Sequence, residues 1–213
     1  ITSDGITDEG FKHFLNTYVV KEFTKEDLFY YIYGLLHSSE YRDRFQNNLS
    51  KELPRIPSVK RFEDFMAFSK AGRELGDLHV NYESVEPYSV VIKEGDLRLA
   101  HIPDPKAYYR VEKMKFPNKK DKKTVFYNKN ITMQNIPTTA YEYVVNSKSA
   151  LEWVMERQCV KKDKASGIVN DANDYANETM NNPAYPLELF QRVITVSLET
   201  MKIVRSLPKL DID

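Results

Sequence analysis

Three groups of residues in this 213-residue sequence have the types and spacing to do chemistry. Pro103-Asp104, followed by Glu112-Lys113-Met114-Lys115, has the residue types of a metal-dependent nuclease, in which two acids hold the ion and a lysine stands beside the attacking water. That chemistry needs Glu and Lys two residues apart, so that both point to one face of a strand. Here Met114 fills the lysine slot and Lys113 and Lys115 fall on the face opposite Glu112, so a nuclease using Asp104 and Glu112 ranks last among the readings. Asn182-Pro183-Ala184-Tyr185 approaches the tetrad with which amino-methyltransferases hold a flipped adenine, but it lacks the second proline. No Gly-rich phosphate or methyl-donor loop occurs among the seven glycines. The four histidines (His13, His37, His79, His101) are scattered without metal-ligand spacing, and Cys159, the single cysteine, reads as a small buried hydrophobe. The sequence therefore offers no catalytic constellation, no metal site and no cofactor site.

The third group is basic and suits binding rather than catalysis. Total charge is zero, with 31 Lys or Arg against 31 Asp or Glu, which taken alone argues against a nucleic-acid binder. The total conceals two unlike parts. Residues 97–130 carry ten basic side chains against three acids, a net of +7, whereas residues 63–96 carry eight acids against three bases, a net of −5. Lys119, Lys120, Lys122 and Lys123 flank Asp121 between two expected strands and read as a hairpin tip. Such a loop either contacts phosphates and gains affinity from counterion release, or simply keeps the domain soluble. With Lys113 and Lys115 these lysines are the candidate phosphate contacts, and Arg55, Lys60 and Arg61 form a weaker second group. Arg110, Asn118, Asn128 and Asn130 are the candidate base readers. Lys161-Lys162-Asp163-Lys164 reads as the end of a helix, where cations suit the negative pole of the dipole. Tyr108, Tyr109, Phe116, Phe126 and Tyr127 interleave with the bases; they suit stacking on nucleobases, but their strand spacing favours core positions.

The elements that must position these residues follow from patterning. Residues 1–80 read as helical. Thr24 caps a helix carrying Leu28, Tyr31, Ile32, Leu35 and Leu36 on one stripe, and Ser38 caps the next. Leu53-Pro54-Arg55-Ile56-Pro57 breaks the pattern, because two prolines enforce extended chain. Another helix spans about 62–78, with small residues that let a second backbone come close. Residues 81–136 read as β-rich and basic, with strands at Val90–Ile92, Leu97–Ile102, Tyr108–Phe116, Thr124–Tyr127 and Ile131–Gln134, and a tight turn at Asn128-Lys129-Asn130 attributed to positive φ at Asn. Residues 137–213 return to helix: one begins at Ala150 after a cap at Ser147 or Ser149, 166–167 and 170–174 are loop, and a long, centrally placed helix runs from about Pro186 to Leu207. The expected fold is α+β, a single domain in which flanking helices hold a mostly antiparallel central sheet with a basic hairpin loop. At 41% hydrophobic and 29% charged the chain is an ordinary globular one. No apolar run reaches the ~18 residues of a membrane span. A lone cysteine makes the cytoplasm the default compartment. The start at Ile1 reads as a piece cut from a longer protein.

Several strings together resemble a known family. Asp27-Leu28-Phe29-Tyr30-Tyr31-Ile32-Tyr33-Gly34-Leu35-Leu36-His37-Ser38, Tyr41-Arg42-x-Arg44-Phe45 and Leu53-Pro54-Arg55-Ile56-Pro57 resemble the opening of the C-terminal target-recognition domain of type ISP (single-polypeptide type I) restriction–modification enzymes. The stretches 149–154, 166–171 and 192–200 are similar to its close, so the resemblance covers about residues 24–207. The tyrosine-rich helix and Pro-Arg-Ile-Pro also resemble recognition regions of related fused restriction–methylation enzymes. The resemblance implies a non-catalytic domain that reads a short asymmetric sequence in double-stranded DNA, mainly in the major groove. It further implies that the domain presents an adenine to a separate methyltransferase module. S-adenosylmethionine, ATP and Mg would then belong to the methyltransferase and helicase-like modules of the same polypeptide, not to this domain. The competing reading is a protein-interaction module that docks those modules through its acidic helices.

Overall fold

The computed structural model describes residues 5–19, 21–94 and 104–212. Its contacts divide the chain into two compact units, residues 1–81 with 200–213, and residues 82–199.

The first unit is helical. α1 (Asp8–Thr17) is capped by Thr7, and α2 (Lys25–His37) by Thr24 in a reciprocal box with Asp27. Ser38 ends α2 and caps α3 (Ser39–Arg44), which leads through α4 (Gln46–Leu49) into the proline-interrupted segment. That segment cannot form helix, so its carbonyls need other donors. Three tyrosines supply them: Tyr41, Tyr31 and Tyr18 donate from their hydroxyls to the carbonyls of Arg55, Pro57 and Val59 at 2.6, 2.6 and 2.5 Å. Burial holds these phenols protonated, and pushes Tyr18 up to about 12. α5 (Phe62–Val80) lies against α2 at unusually short range. A Cβ on Gly72 would stand 1.8 Å from the Tyr30 carbonyl oxygen, and one on Gly34 2.4 Å from that of Phe68. The close approach expected along 62–78 is real, but it is carried by Gly72 and Gly34, while Gly76 faces the Tyr30 ring. Phe14, Tyr31, Phe65 and Phe68 form the core.

The second unit joins helices to small antiparallel sheets. β1 (Val91–Glu94) precedes a short helix α6 (Pro105–Tyr109); β2 (Val125–Phe126) and β3 (Ile131–Gln134) then complete a three-stranded sheet in the order β1-β3-β2. The turn between β2 and β3 is where it was expected, but its cause differs. Neither Asn128 nor Asn130 has positive φ; instead the Asn128 carboxamide oxygen accepts from the backbone of Asn130 and Ile131, each at 2.8 Å. A hairpin of β4 (Val144–Val145) and β5 (Lys148–Ser149) turns on Asn146 and Ser147, both at positive φ. Ser149 boxes with Glu152 to start α7 (Ala150–Arg157). β6 (Val160–Lys162) and β7 (Val169–Asp171) form a second hairpin, followed by α8 (Ala172–Asp174), a π-helical turn at Tyr175–Thr179, and α9 (Tyr185–Arg205). Phe190, Val193 and Ile194 of α9 lie in this unit's core with Val125, Ile131 and Met133.

The mixed helix and antiparallel-sheet class is as expected, with local corrections. Tyr108–Phe116 is not a strand: it begins as α6 and continues as irregular chain with one bridge, Lys115 to Phe126. Val111 and Met114, both buried, lie three apart, a spacing that strand alternation does not give. Lys161 and Lys162 belong to β6 rather than a helix end, and Asn170 and Asp171 to β7 rather than a loop. The expected strand Leu97–Ile102 lies outside the described residues.

Candidate nucleic-acid interface

The stretch 110–116 carries the basic residues, and three attachments fix its course. Asn173, fully enclosed, accepts from the Val111 N–H and donates to the Val111 carbonyl, both at 2.9 Å, doing for one residue what a neighbouring strand would do. The Glu112 carbonyl accepts from Val160 N–H at 3.0 Å. Lys115 and Phe126 exchange backbone hydrogen bonds of 3.0 and 2.8 Å. With Val111 and Met114 turned inward, Lys113 and Lys115 are left facing solvent. They line a concave site of about 600 Å³ with Arg110, Lys129, Asn128 and Phe126. Phe126 is 45% exposed there, whereas Tyr127 beside it is buried and donates to the Tyr109 carbonyl at 2.7 Å. Strand alternation across β2 gives this division: Val125 and Tyr127 go to the core and Phe126 out.

The residues expected to contact DNA fall into three sets. Lys113 and Lys115 lie in the concave site, and Lys119, Lys120 and Lys123 are exposed on the neighbouring loop. That loop has a defined course, since Asn118 accepts from the backbone of Lys120 and Asp121, and Asp121 from Lys123. A second set is engaged within the fold. Lys122 binds Glu152 at 3.0 Å and lies over the rings of Phe116 and Tyr141. Burial would raise the Glu152 carboxyl, but hydrogen bonds from Ser149 and Lys122 hold it below the usual range. Arg110 bridges Glu112 and Asp171, both at 2.7 Å. Asn128 spends its amide on the Tyr108 and Arg110 carbonyls, and Asn130 donates to Tyr108. The third set, Arg55, Lys60 and Arg61, belongs to the helical unit, where each has an acidic neighbour: Glu52, Asp211, and Glu63 with Asp64.

Sequence reasoning missed Lys129 as a lining residue of this site, favoured the core for Phe126, which instead is exposed and lines it, and read the exposed lysines of the β6–β7 hairpin as a helix end. The Asn128–Asn130 turn was the signal for Lys129, since the central residue of a tight turn held by the Asn128 side chain projects outward. The nuclease pair is separated in role: Asp104 caps α6 by accepting from Ala107 N–H, and Glu112 pairs with Arg110. Among the described residues no group of three or more His, Cys, Asp or Glu is placed to hold a metal ion. No helix among them is long and apolar enough to cross a membrane.

Residues 1–189 match the family model described as the Type ISP C-terminal specificity domain. The chain belongs to that family. This specificity domain is also similar to three solved structures. One is a nuclease-deletion mutant of the Type ISP restriction-modification enzyme LlaGI in complex with a DNA substrate mimic (42% identity, TM-score 0.76, covering 91% of this chain and 17% of that one). The second is the ATP-dependent Type ISP enzyme LlaBIII bound to DNA (39%, TM-score 0.78, 95% and 12%). The third is a DrdV–DNA complex (32%, TM-score 0.76, 95% and 20%). The specificity domain thus spans a fifth or less of each of these three chains. No curated protein matches it.

Proposed function

We propose that this specificity domain reads a sequence in duplex DNA through its second unit and presents the target adenine to a methyltransferase module of the same polypeptide. The observation that carries the reading is the concave basic site: Lys113, Lys115 and Lys129 surround the exposed Phe126, in a domain whose family relatives have been solved with DNA. Lysines supply phosphate contacts that fix register, and the exposed Phe126 ring supplies an apolar surface for base edges. Lys119, Lys120 and Lys123 extend the phosphate-contacting surface, while Lys122, Arg110 and the three asparagines hold the surface in shape. The domain catalyses nothing and takes no cofactor; S-adenosylmethionine, ATP and Mg serve the other modules, and the enzyme works in the cytoplasm.

The test is affinity for duplex DNA as a function of salt. Each phosphate contact contributes about 0.9 to the slope of log K against log salt. Lys113→Gln with Lys115→Gln should therefore flatten that slope by nearly two units. An unchanged slope would move the site elsewhere. A second reading, in which the domain docks its partner modules, draws on Phe29 and Val80, exposed beside Tyr30, Tyr33 and Asp77 around a hollow of about 300 Å³ in the helical unit. No binding to DNA at any salt would favour it.

A further inference from the structure

The β6–β7 hairpin is a second feature of the same unit that the concave site does not use. Every residue from Lys161 to Asn170 is exposed, so both faces of the hairpin are open. An isolated two-stranded hairpin is marginal in water, yet this one is braced at its tip. The Asp163 carboxylate accepts from the N–H groups of Ala165 and Ser166 and from the Ser166 hydroxyl, at 3.1, 2.7 and 2.8 Å. Those bonds hold its carboxyl below the usual range. Gly167 supplies the positive φ that turns the chain back, and Asp163 N–H closes the turn on the Ile168 carbonyl at 2.8 Å.

Two consequences follow from this geometry. The Asp163 carboxylate keeps its charge but is outnumbered by Lys161 and Lys162 on β6 and Lys164 in the turn, so the hairpin is net positive. And Ile168 and Val169, 60% and 55% exposed, are held out in water on that hairpin. The pairing sets Lys162 opposite Val169 and Lys161 opposite Asn170, so each face offers cation and groove-reading group together. The hairpin adjoins the concave site: Lys113 lines that site and also a hollow of about 480 Å³ that Lys161 lines too, together with Glu152 and Glu156.

We propose that this hairpin enters the major groove of the DNA as a two-stranded ribbon, with Lys161, Lys162 and Lys164 on phosphates and Ile168 and Val169 against thymine methyl groups. The inference rests on the DNA-reading function proposed above. The major groove admits a two-stranded ribbon, and the thymine methyl is the apolar feature it displays. Charge complementarity selects an anionic partner over a neutral or basic surface, because three lysines outnumber Asp163 around the apolar pair, and the relatives solved with DNA make duplex DNA that partner.

The test uses duplexes with a randomised centre, enriched for binding to the wild-type chain and then synthesised with either thymine or uracil. Losing one buried methyl weakens binding about fourfold. The wild type should therefore bind the uracil pool at least about fourfold more weakly, while Ile168→Ser with Val169→Ser should bind both pools alike. Those two residues are exposed, so the variant should fold, and a wild-type circular dichroism spectrum checks that. Equal affinity of the wild type for the two pools, or full discrimination retained by the variant, would overturn the hairpin's role. A Lys113→Gln/Lys115→Gln variant separates the two proposals. If it binds weakly while the hairpin variant binds like the wild type, only the hairpin proposal falls. If the wild type binds neither pool, both fall.

Discussion

Lys122 looks like its neighbours in the sequence, and the structure gives it a different job, which a single substitution can expose. Its ammonium lies 3.0 Å from Glu152, and 5.8 and 5.3 Å from the ring centres of Phe116 and Tyr141. With the two side chains 39% and 31% exposed, the ion pair is screened and is worth at most about 1 kcal/mol. Each cation–ring contact at such a site adds about 0.5 kcal/mol. Lys122→Met keeps the aliphatic stem and removes the charge, so the loss is at most about 2 kcal/mol, or a Tm lower by up to about 6 °C in a chain of this size. Glu152 still accepts from Ser149, so α7 keeps its cap. Thermal unfolding followed by circular dichroism measures the loss, and DNA binding against salt gives the second readout. Lys122→Met should leave the slope of the salt dependence nearly unchanged, whereas Lys119→Gln with Lys120→Gln should flatten it without moving Tm. An unchanged Tm combined with a slope shallower by about one unit would show that Lys122 is a phosphate contact and that the assignment from its partners is wrong.

Gly72→Ala should cost about 3 kcal/mol or more in a denaturant melt, because the new methyl would meet the Tyr30 carbonyl at 1.8 Å and backbone cannot yield; Gly5→Ala, with open space around it, is the matched control. Asn173→Ala should cost about 3 kcal/mol by orphaning the buried N–H and carbonyl of Val111, and should weaken DNA binding as Lys113 and Lys115 lose their support. Burial, and then the neighbouring His37, push His79 down to about 4. Its unfolded value is near 6.5, so the stability held by the neutral ring is complete above about pH 6.5 and drains away as the pH falls toward 4. The full shift corresponds to about 3 kcal/mol, which solvent screening reduces to about 1.5 kcal/mol. Urea melts at about pH 7 and pH 4.5 should lose less stability in His79→Gln than in the wild type, and equal losses would remove His79 as the cause.

Helix starts in both units were legible because each is written locally. Thr24, Ser38 and Ser149 accept the first free amides of α2, α3 and α7, and the Pro54–Pro57 segment can only be extended. The family resemblance rested on the same scaffold strings. What the sequence concealed were long-range substitutions for regular structure. Residues 108–116 alternate well enough to suggest a strand, yet Asn173, sixty-two positions away, takes the place of a strand partner at Val111. The lysine loop was visible as charge, but the partition of its members was not. Nothing in Lys119-Lys120-Asp121-Lys122-Lys123 says that Lys122 meets a helix cap thirty residues on. The turn of the β6–β7 hairpin was legible at Ser166-Gly167, but its strands escaped because Val160–Lys162 and Val169–Asp171 are three residues each, too short to show alternation.

Whether the basic concave site reads DNA sequence is decided by selection from a randomised duplex pool. The wild-type chain should enrich one motif over successive rounds. Lys113→Gln with Lys115→Gln should lower total retention with the motif unchanged, since phosphate contacts carry no sequence information. Phe126→Ala should degrade the motif at one or two positions. Recovery of unenriched DNA by the wild type, or an identical motif and retention in all three proteins, would show that this site does not read DNA.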